Sequence, residues 1–188
     1  GRYKFTIGQN KEFARPTGLA VSKDRLYIVD TLAHSVLVYG LDGKFIQKFG
    51  GRGKEAAAFN FPTSITVDDQ GRVYVVDTLN FRVQVFDENN TYLYSVGQPG
   101  DSSGSFSRPK GVAVDSFGHI YITDGVFDNI QIFNQKGEFL LSFGQSGQGD
   151  GEFWILSGIA INKENCIYVA DSYNQRIQIF RYVGKNDE

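Results

Sequence analysis

The sequence predicts an all-β protein assembled from four copies of one antiparallel four-stranded unit. Three observations carry that expectation. An aspartate returns at Asp30, Asp77, Asp124 and Asp171, a constant step of 47 residues (77 − 30, 124 − 77, 171 − 124). A fixed period of this length marks one supersecondary unit copied in tandem, because no single copy can bury its own apolar face. β-Branched and aromatic residues precede every aspartate, and Gly punctuates every copy with no long run at helical periodicity, which excludes a helical repeat.

The copies cover about 13–50, 59–97, 106–144 and 153–188 of a single domain over 1–188. Each opens on a short apolar stretch: P-T-G-L-A-V from Pro16, P-T-S-I-T-V from Pro62, P-K-G-V-A-V from Pro109 and L-S-G-I-A-I from Leu156. This first strand sets large residues beside small ones, Leu19 beside Gly18 and Ala20, as wedge-shaped units converging on an axis require. The second strand, L-Y-I-V-D, V-Y-V-V-D, I-Y-I-T-D and I-Y-V-A-D, is nearly continuous in β-branched and aromatic residues and suits a strand covered on both faces. The third alternates, as in R-V-Q-V-F from Arg82, N-I-Q-I-F from Asn129 and R-I-Q-I-F from Arg176, which predicts one drier and one wetter face. Burial is therefore expected to fall outward along each unit. A turn follows, on Asp42-Gly43, Glu88-Asn89-Asn90 or Gln135-Lys136-Gly137, and a fourth strand ends at Phe49-Gly50, Val96-Gly97 or Phe143-Gly144. Four such antiparallel strands make a β-propeller blade.

The last copy turns near Gly184 and stops at Glu188 before a fourth strand. Residues 2–7 fit the missing strand, since Ile7-Gly8 stands where Phe49-Gly50 stands, and pairing there would cover an edge open to aggregation. Two closures remain open: a ring of four blades, or an arc of a six-bladed parent. The connection from Gly8 to Phe13 is shorter than that from Gly50 to Phe59, and an arc would carry apolar end faces able to self-associate.

The phrases F-x-x-P-x-G-[VIL]-A-V-D, Y-V-x-D-x-x-N-x-R-[VI]-Q-[VI]-F and G-x-F-x-x-x-F-G resemble NHL repeats over nearly the whole chain. Asn80 with Arg82, and Asn174 with Arg176, match the N-x-R pattern; blade one has Ala33 and Ser35 there, and blade three Phe127 and Asn129. The resemblance implies a propeller serving as an interaction surface for protein or RNA, with a related branch of metal-dependent lyases. Wording around Gly151-Glu152-Phe153-Trp154 is similar to bacterial extracytoplasmic members, implying a periplasmic or extracellular setting.

The 188 residues, 41% hydrophobic and 14% aromatic, suit one sizeable globular core. One cysteine permits no internal disulfide, no methionine is present, and Gly1 reads as a processed or engineered start. No membrane span is visible in the sequence.

The repeat register assigns the chemistry-bearing residues. His34 follows a second strand whereas His119 precedes one, so they fall on opposite faces and do not share a metal, which removes ligands from a zinc lyase reading. Cys166 takes the rim slot of Arg25, Arg72 and His119 and lacks a neighbouring base. Asp30, Asp77, Asp124 and Asp171 are candidate calcium ligands, with a turn-shaping structural role the stronger reading. Gly97-Gln98-Pro99-Gly100 and Gly144-Gln145-Ser146-Gly147 read as connections rather than phosphate cradles, lacking a following helix. No cofactor is expected.

Connections before strand one and after strand two share a face, the best candidate for recognition. It gathers Arg15, Arg52, Arg108 and Lys110 with Leu32, Leu79, Phe81, Phe127, Trp154 and Tyr173, and aromatic and arginine side chains are the usual anchors of protein interfaces. A protein partner bound without catalysis is the leading expectation, with RNA binding and a propeller lyase or lactonase as alternatives. A net charge of −2 weakens the electrostatic attraction RNA binding needs.

Overall fold

The computed structural model describes residues 1–9 and 11–182. Blade one holds β1 (Pro16–Ser22), β2 (Arg25–Asp30), β3 (Ser35–Gly40) and β4 (Phe45–Gly50). Blade two holds β5 (Pro62–Val67), β6 (Val73–Asp77), β7 (Arg82–Phe86) and β8 (Tyr92–Val96). Blade three holds β9 (Pro109–Val114), β10 (Ile120–Asp124), β11 (Asn129–Phe133) and β12 (Phe139–Phe143). Blade four holds β13 (Leu156–Ile161), β14 (Cys166–Asp171) and β15 (Arg176–Arg181). Within each blade, strands that are neighbours in sequence pair antiparallel.

Register is set by the repeated aspartate. Pro16 pairs with Asp30, Pro62 with Asp77, Pro109 with Asp124 and Leu156 with Asp171, and each ladder then slips by a bulge. β1 packs on β5, β5 on β9 and β9 on β13.

Apolar clusters fill the seams. Tyr27, Val29, Val36 and Val38 of blade one meet Phe59, Ile65, Val73, Val75 and Phe86 around blade two. Tyr74, Val83 and Val85 meet Phe106, Val112, Ile120 and Phe133, and Tyr121, Ile130 and Ile132 meet Phe153, Ile167 and Val169. A connecting phenylalanine anchors each seam: Phe59, Phe106 and Phe153 are wholly buried, each burial stabilising the fold by about 1.5–3 kcal/mol.

Burial does not fall steadily outward. β6 and β10 are buried end to end, β7 and β11 nearly so, and the inner strand β5 is only partly covered. Gln84 and Gln131, the polar residues expected to meet water, are buried because their amides reach connecting-loop groups: each Nε2 donates, to Ala58 O and to Ser105 O respectively.

Of the two closures, the described residues form the open arc. Leu19 and Val21 are 66% and 62% exposed, whereas Ile65 and Val112, which stand where Leu19 stands, are 6% and 3% exposed against a preceding blade. Residues 2–7 form no ladder, yet Gly8 (φ +92°) adopts the geometry of Gly50, Gly97 and Gly144, and Ile7 and Phe13 pack beside Ile28, Leu37 and Tyr39. The segment thus stands in the place of a fourth strand ahead of blade one. The turn expected near Gly184 lies outside the described residues.

Candidate functional site

Each aspartate closes its second strand with a fully buried carboxylate. In blade one, Asp30 accepts the N–H groups of Ala14 (2.6 Å), Arg15 (2.8 Å) and Ala33 (3.1 Å). In blade three, Asp124 accepts those of Ser107 (2.7 Å), Arg108 (3.0 Å), Val126 (2.9 Å) and Phe127 (3.2 Å). The carboxylate thereby ties the loop before the first strand to the loop after the second. A backbone bond completes the tie in every blade: Thr31 to Arg15 O, Leu79 to Asn60 O, Gly125 to Arg108 O and Tyr173 to Trp154 O, at 3.0–3.1 Å. These four aspartates shape the loop face, and their oxygens already face N–H donors.

Blades two and four do this with side chains. Asp77 accepts from Asn60 N, Asn80 Nδ2, Arg82 Nε and Gln84 Nε2, and Asp171 from Trp154 N, Asn174 Nδ2, Arg176 Nε and Gln178 Nε2. The guanidiniums reach onward, Arg82 to Glu55 O and Ala58 O, Arg176 to Gly149 O and Glu152 O. Burial pushes the Asp171 carboxyl up, but the Trp154 amide and the Arg176, Asn174 and Gln178 donors outweigh it and hold its pKa below the ordinary value.

The alternation has a second half. His34 and Asp128 occupy matching left-handed positions in blades one and three, both at φ +52°. Phe61 donates its N–H to His34 Nδ1 (3.1 Å), and Ile155 donates its own to Asp128 Oδ1 (2.6 Å). Both donors are themselves left-handed at φ +50°. The structure therefore repeats at two blades, 94 residues (124 − 30, 171 − 77), not one. Odd blades reach forward with a side-chain acceptor; even blades carry the Asn-Arg-Gln set.

On this frame the expected recognition residues divide into groups. Trp154 and Tyr173 pair at 5.5 Å between ring centroids and are 46% and 58% exposed. Leu32 and Leu79 project at 48% and 46% exposure from the loops that Asp30 and Asp77 hold. Phe81 and Phe127 line one depression of about 300 Å³ with Pro99, Asp101 and Phe106, between blades two and three. Arg108 is exposed and Lys110 half-buried, and burial together with the Arg108 charge lowers the Lys110 pKa. Arg15 and Arg52 are exposed, Arg52 bridging in parallel to Phe59 in the first connection.

The opposite face holds polar networks that the sequence reading missed. Arg72 Nε and Tyr74 Oη donate to Asp68 (2.7 and 2.9 Å); Tyr121 Oη donates to Asp115 (3.1 Å), with His119 Nδ1 2.9 Å from the same carboxylate. Both border a hollow of about 220 Å³ shared with Gln135, Asn162 and Lys163. Burial, then the aspartates, push both tyrosine hydroxyls up. The signal was present in the 47-residue register, which relates Asp68 to Asp115, Arg72 to His119 and Tyr74 to Tyr121. Cys166 opens β14 half-buried, its N–H donating to Asn162 Oδ1.

Residues 59–86, which carry the Asn80-Arg82-Gln84 set, match the NHL repeat, and residues 115–185 match the DUF5128 family, described as a 6-bladed beta-propeller. The chain is a β-propeller whose second blade matches the NHL repeat. Among solved structures, this propeller is similar in fold to a streptogramin B lyase (TM-score 0.68, 14% identity, 93% of this chain and 57% of that chain). It is likewise similar to a catalytically inactive virginiamycin B lyase from Staphylococcus aureus with quinupristin (TM-score 0.67, 17% identity, 95% and 59%). The computationally designed Ika4 protein superposes at TM-score 0.64 and 14% identity over 98% of this chain and 99% of that one. The chain thus spans under three fifths of the length of the two lyases. At these identities the likeness is one of fold.

Proposed function

We propose that this NHL propeller is a non-catalytic scaffold that presents its aspartate-tied loop face to a protein partner. The observation that supports this most is the pairing of rigid loops with exposed anchors. Trp154, Tyr173, Leu32 and Leu79 stand about half in water, on loops whose backbone N–H groups are fixed by buried carboxylates. Ordered loops carrying aromatic and cationic side chains lose little conformational entropy on docking, which favours a protein surface. The titratable groups beneath the face are engaged structurally: His34 Nδ1 accepts the Phe61 amide, and the aspartates accept from the loops. That leaves the face suited to contact rather than turnover.

The test is a purified partner identified by cross-linking on the immobilised chain, with binding then measured for the combined Arg15→Ala, Arg108→Ala and Phe127→Ala variant. Binding should fall at least tenfold while the melting temperature stays within a few degrees, as surface changes usually leave stability intact. Unchanged binding would remove the site assignment.

A further inference from the structure

We infer that a second copy of this chain docks head to tail on the first, the outward side of blade four receiving the outward side of blade one. The outward side of blade four, and that of blade one where Ile7 and Phe13 already cover Ile28 and Tyr39, are the two halves of a seam that the molecule already builds three times. On blade four, Tyr168, Ile177 and Ile179 are 36%, 61% and 63% exposed. Their counterparts in blade two, Tyr74, Val83 and Val85, are wholly buried against blade three. On blade one, Leu19 and Val21 lie exposed while Phe13, Leu26, Ile28 and Tyr39 hold the places of Phe106, Ile120, Ile122 and Phe133 on the receiving side of that same seam.

Two further pieces complete the match. Among the described residues β15 has a partner on one side alone, β14, so its other edge offers unpaired backbone groups. The segment ending at Ile7-Gly8 sits on blade one where Val96-Gly97, the end of β8, meets blade three, and is placed to pair with that edge. At the inner rim, Thr31 and Thr78 hydroxyls donate to Pro62 O and Pro109 O of the next blade. Ser172 holds the threonine position and Pro16 the proline position, leaving the equivalent bond for the second copy.

The two-blade alternation agrees. Blade four is even and blade one odd, so the new seam is of the blade-two-to-three kind, which uses no histidine or aspartate clamp. Arg15, like Arg108, already gives its N–H to its own blade's aspartate rather than to a preceding blade. A heterologous contact of this kind either closes on itself or propagates; both products require the same seam. The inference is independent of the loop-face reading, since the side chains that form the seam and are changed in its test, Leu19, Val21, Ile177 and Ile179, lie outside that face.

Light scattering on the size-fractionated chain reads the result directly. The expected particle has twice the mass of one chain, or a ladder of higher multiples; a single-chain mass at tens of micromolar overturns the inference. Ile177→Lys with Ile179→Lys, and separately Leu19→Lys with Val21→Lys, should each give single chains with an unchanged β-sheet spectrum, because these side chains are exposed within one copy. Mixing the two variants should restore a two-chain particle, since each keeps the half the other lost. A pair that forms through one face alone, surviving one of the two double variants and unaffected by the mixing, overturns the head-to-tail geometry.

Discussion

Phe61 donates its backbone N–H to Nδ1 of His34 across the seam between the first two blades, at 3.1 Å. His34 is buried, its ring also edge-on to Phe61 at 4.6 Å between centroids. His34→Ala removes the acceptor and leaves a covered N–H unpaired, so it should cost about 1–3 kcal/mol in urea unfolding. His34→Asn, which tolerates the left-handed backbone and keeps an acceptor, should recover much of that. Equal midpoints for the wild type and both variants would remove the clamp from the stability of the fold.

Arg82 presents a sharper case because its partner, Asp77, has no solvent contact. Arg82→Ala strips the carboxylate of its ionic partner and takes a donor from the Glu55 carbonyl, leaving Ala58 O to Gln84 alone, at an expected cost of about 3 kcal/mol, the low end for a broken buried pair. Arg15→Ala serves as the control and should stay within about 0.5 kcal/mol. Chemical denaturation of the two variants side by side decides the matter.

Acidification should weaken blade four through Asp171. Its carboxyl is held below the ordinary value in the folded chain, so the folded state binds fewer protons than the unfolded state in the acid range. That contribution is present above the unfolded pKa of about 3.9 and disappears as pH falls through the depressed folded value. Asp171→Asn should melt well below wild type near neutrality, and the gap should narrow as pH drops towards about 2.5. A gap that is constant with pH would contradict this account.

Gly97 sits at φ +93°, and a methyl group there would run into the Phe106 ring. Gly97→Ala combines left-handed strain with overpacking and should cost about 2–5 kcal/mol. Because Phe106 fills the seam between blades two and three, the loss should also appear as faster amide exchange in β7 and β10, read by mass spectrometry.

The blade plan was legible because period-two strands and a 47-residue ruler repeat four times, and each repetition checks the others. Placement of the loop face followed from strand direction alone. The two-blade alternation was not legible in the same way: its clue, N-x-R in blades two and four, looked like a lapse in blades one and three. What fills the gap is chemically unlike, an imidazole at His34 and a carboxylate at Asp128, and identity of role shows only once both accept an amide from the next blade. The burial of Gln84 and Gln131 was equally hidden, since a polar letter in an alternating strand ordinarily points to water, and only the loop groups waiting at Ala57, Ala58, Gly104 and Ser105 invert that rule.

The alternating clamp also bears on how such a chain can change in length. Adding or deleting a pair of blades leaves every junction facing the neighbour it was built for. A single inserted blade sets two like junctions in a row, so that one left-handed acceptor finds no amide, or one flipped amide finds no acceptor. Growth by pairs is therefore the cheaper route for this lineage, and blade counts that differ by two are the ones expected among its relatives.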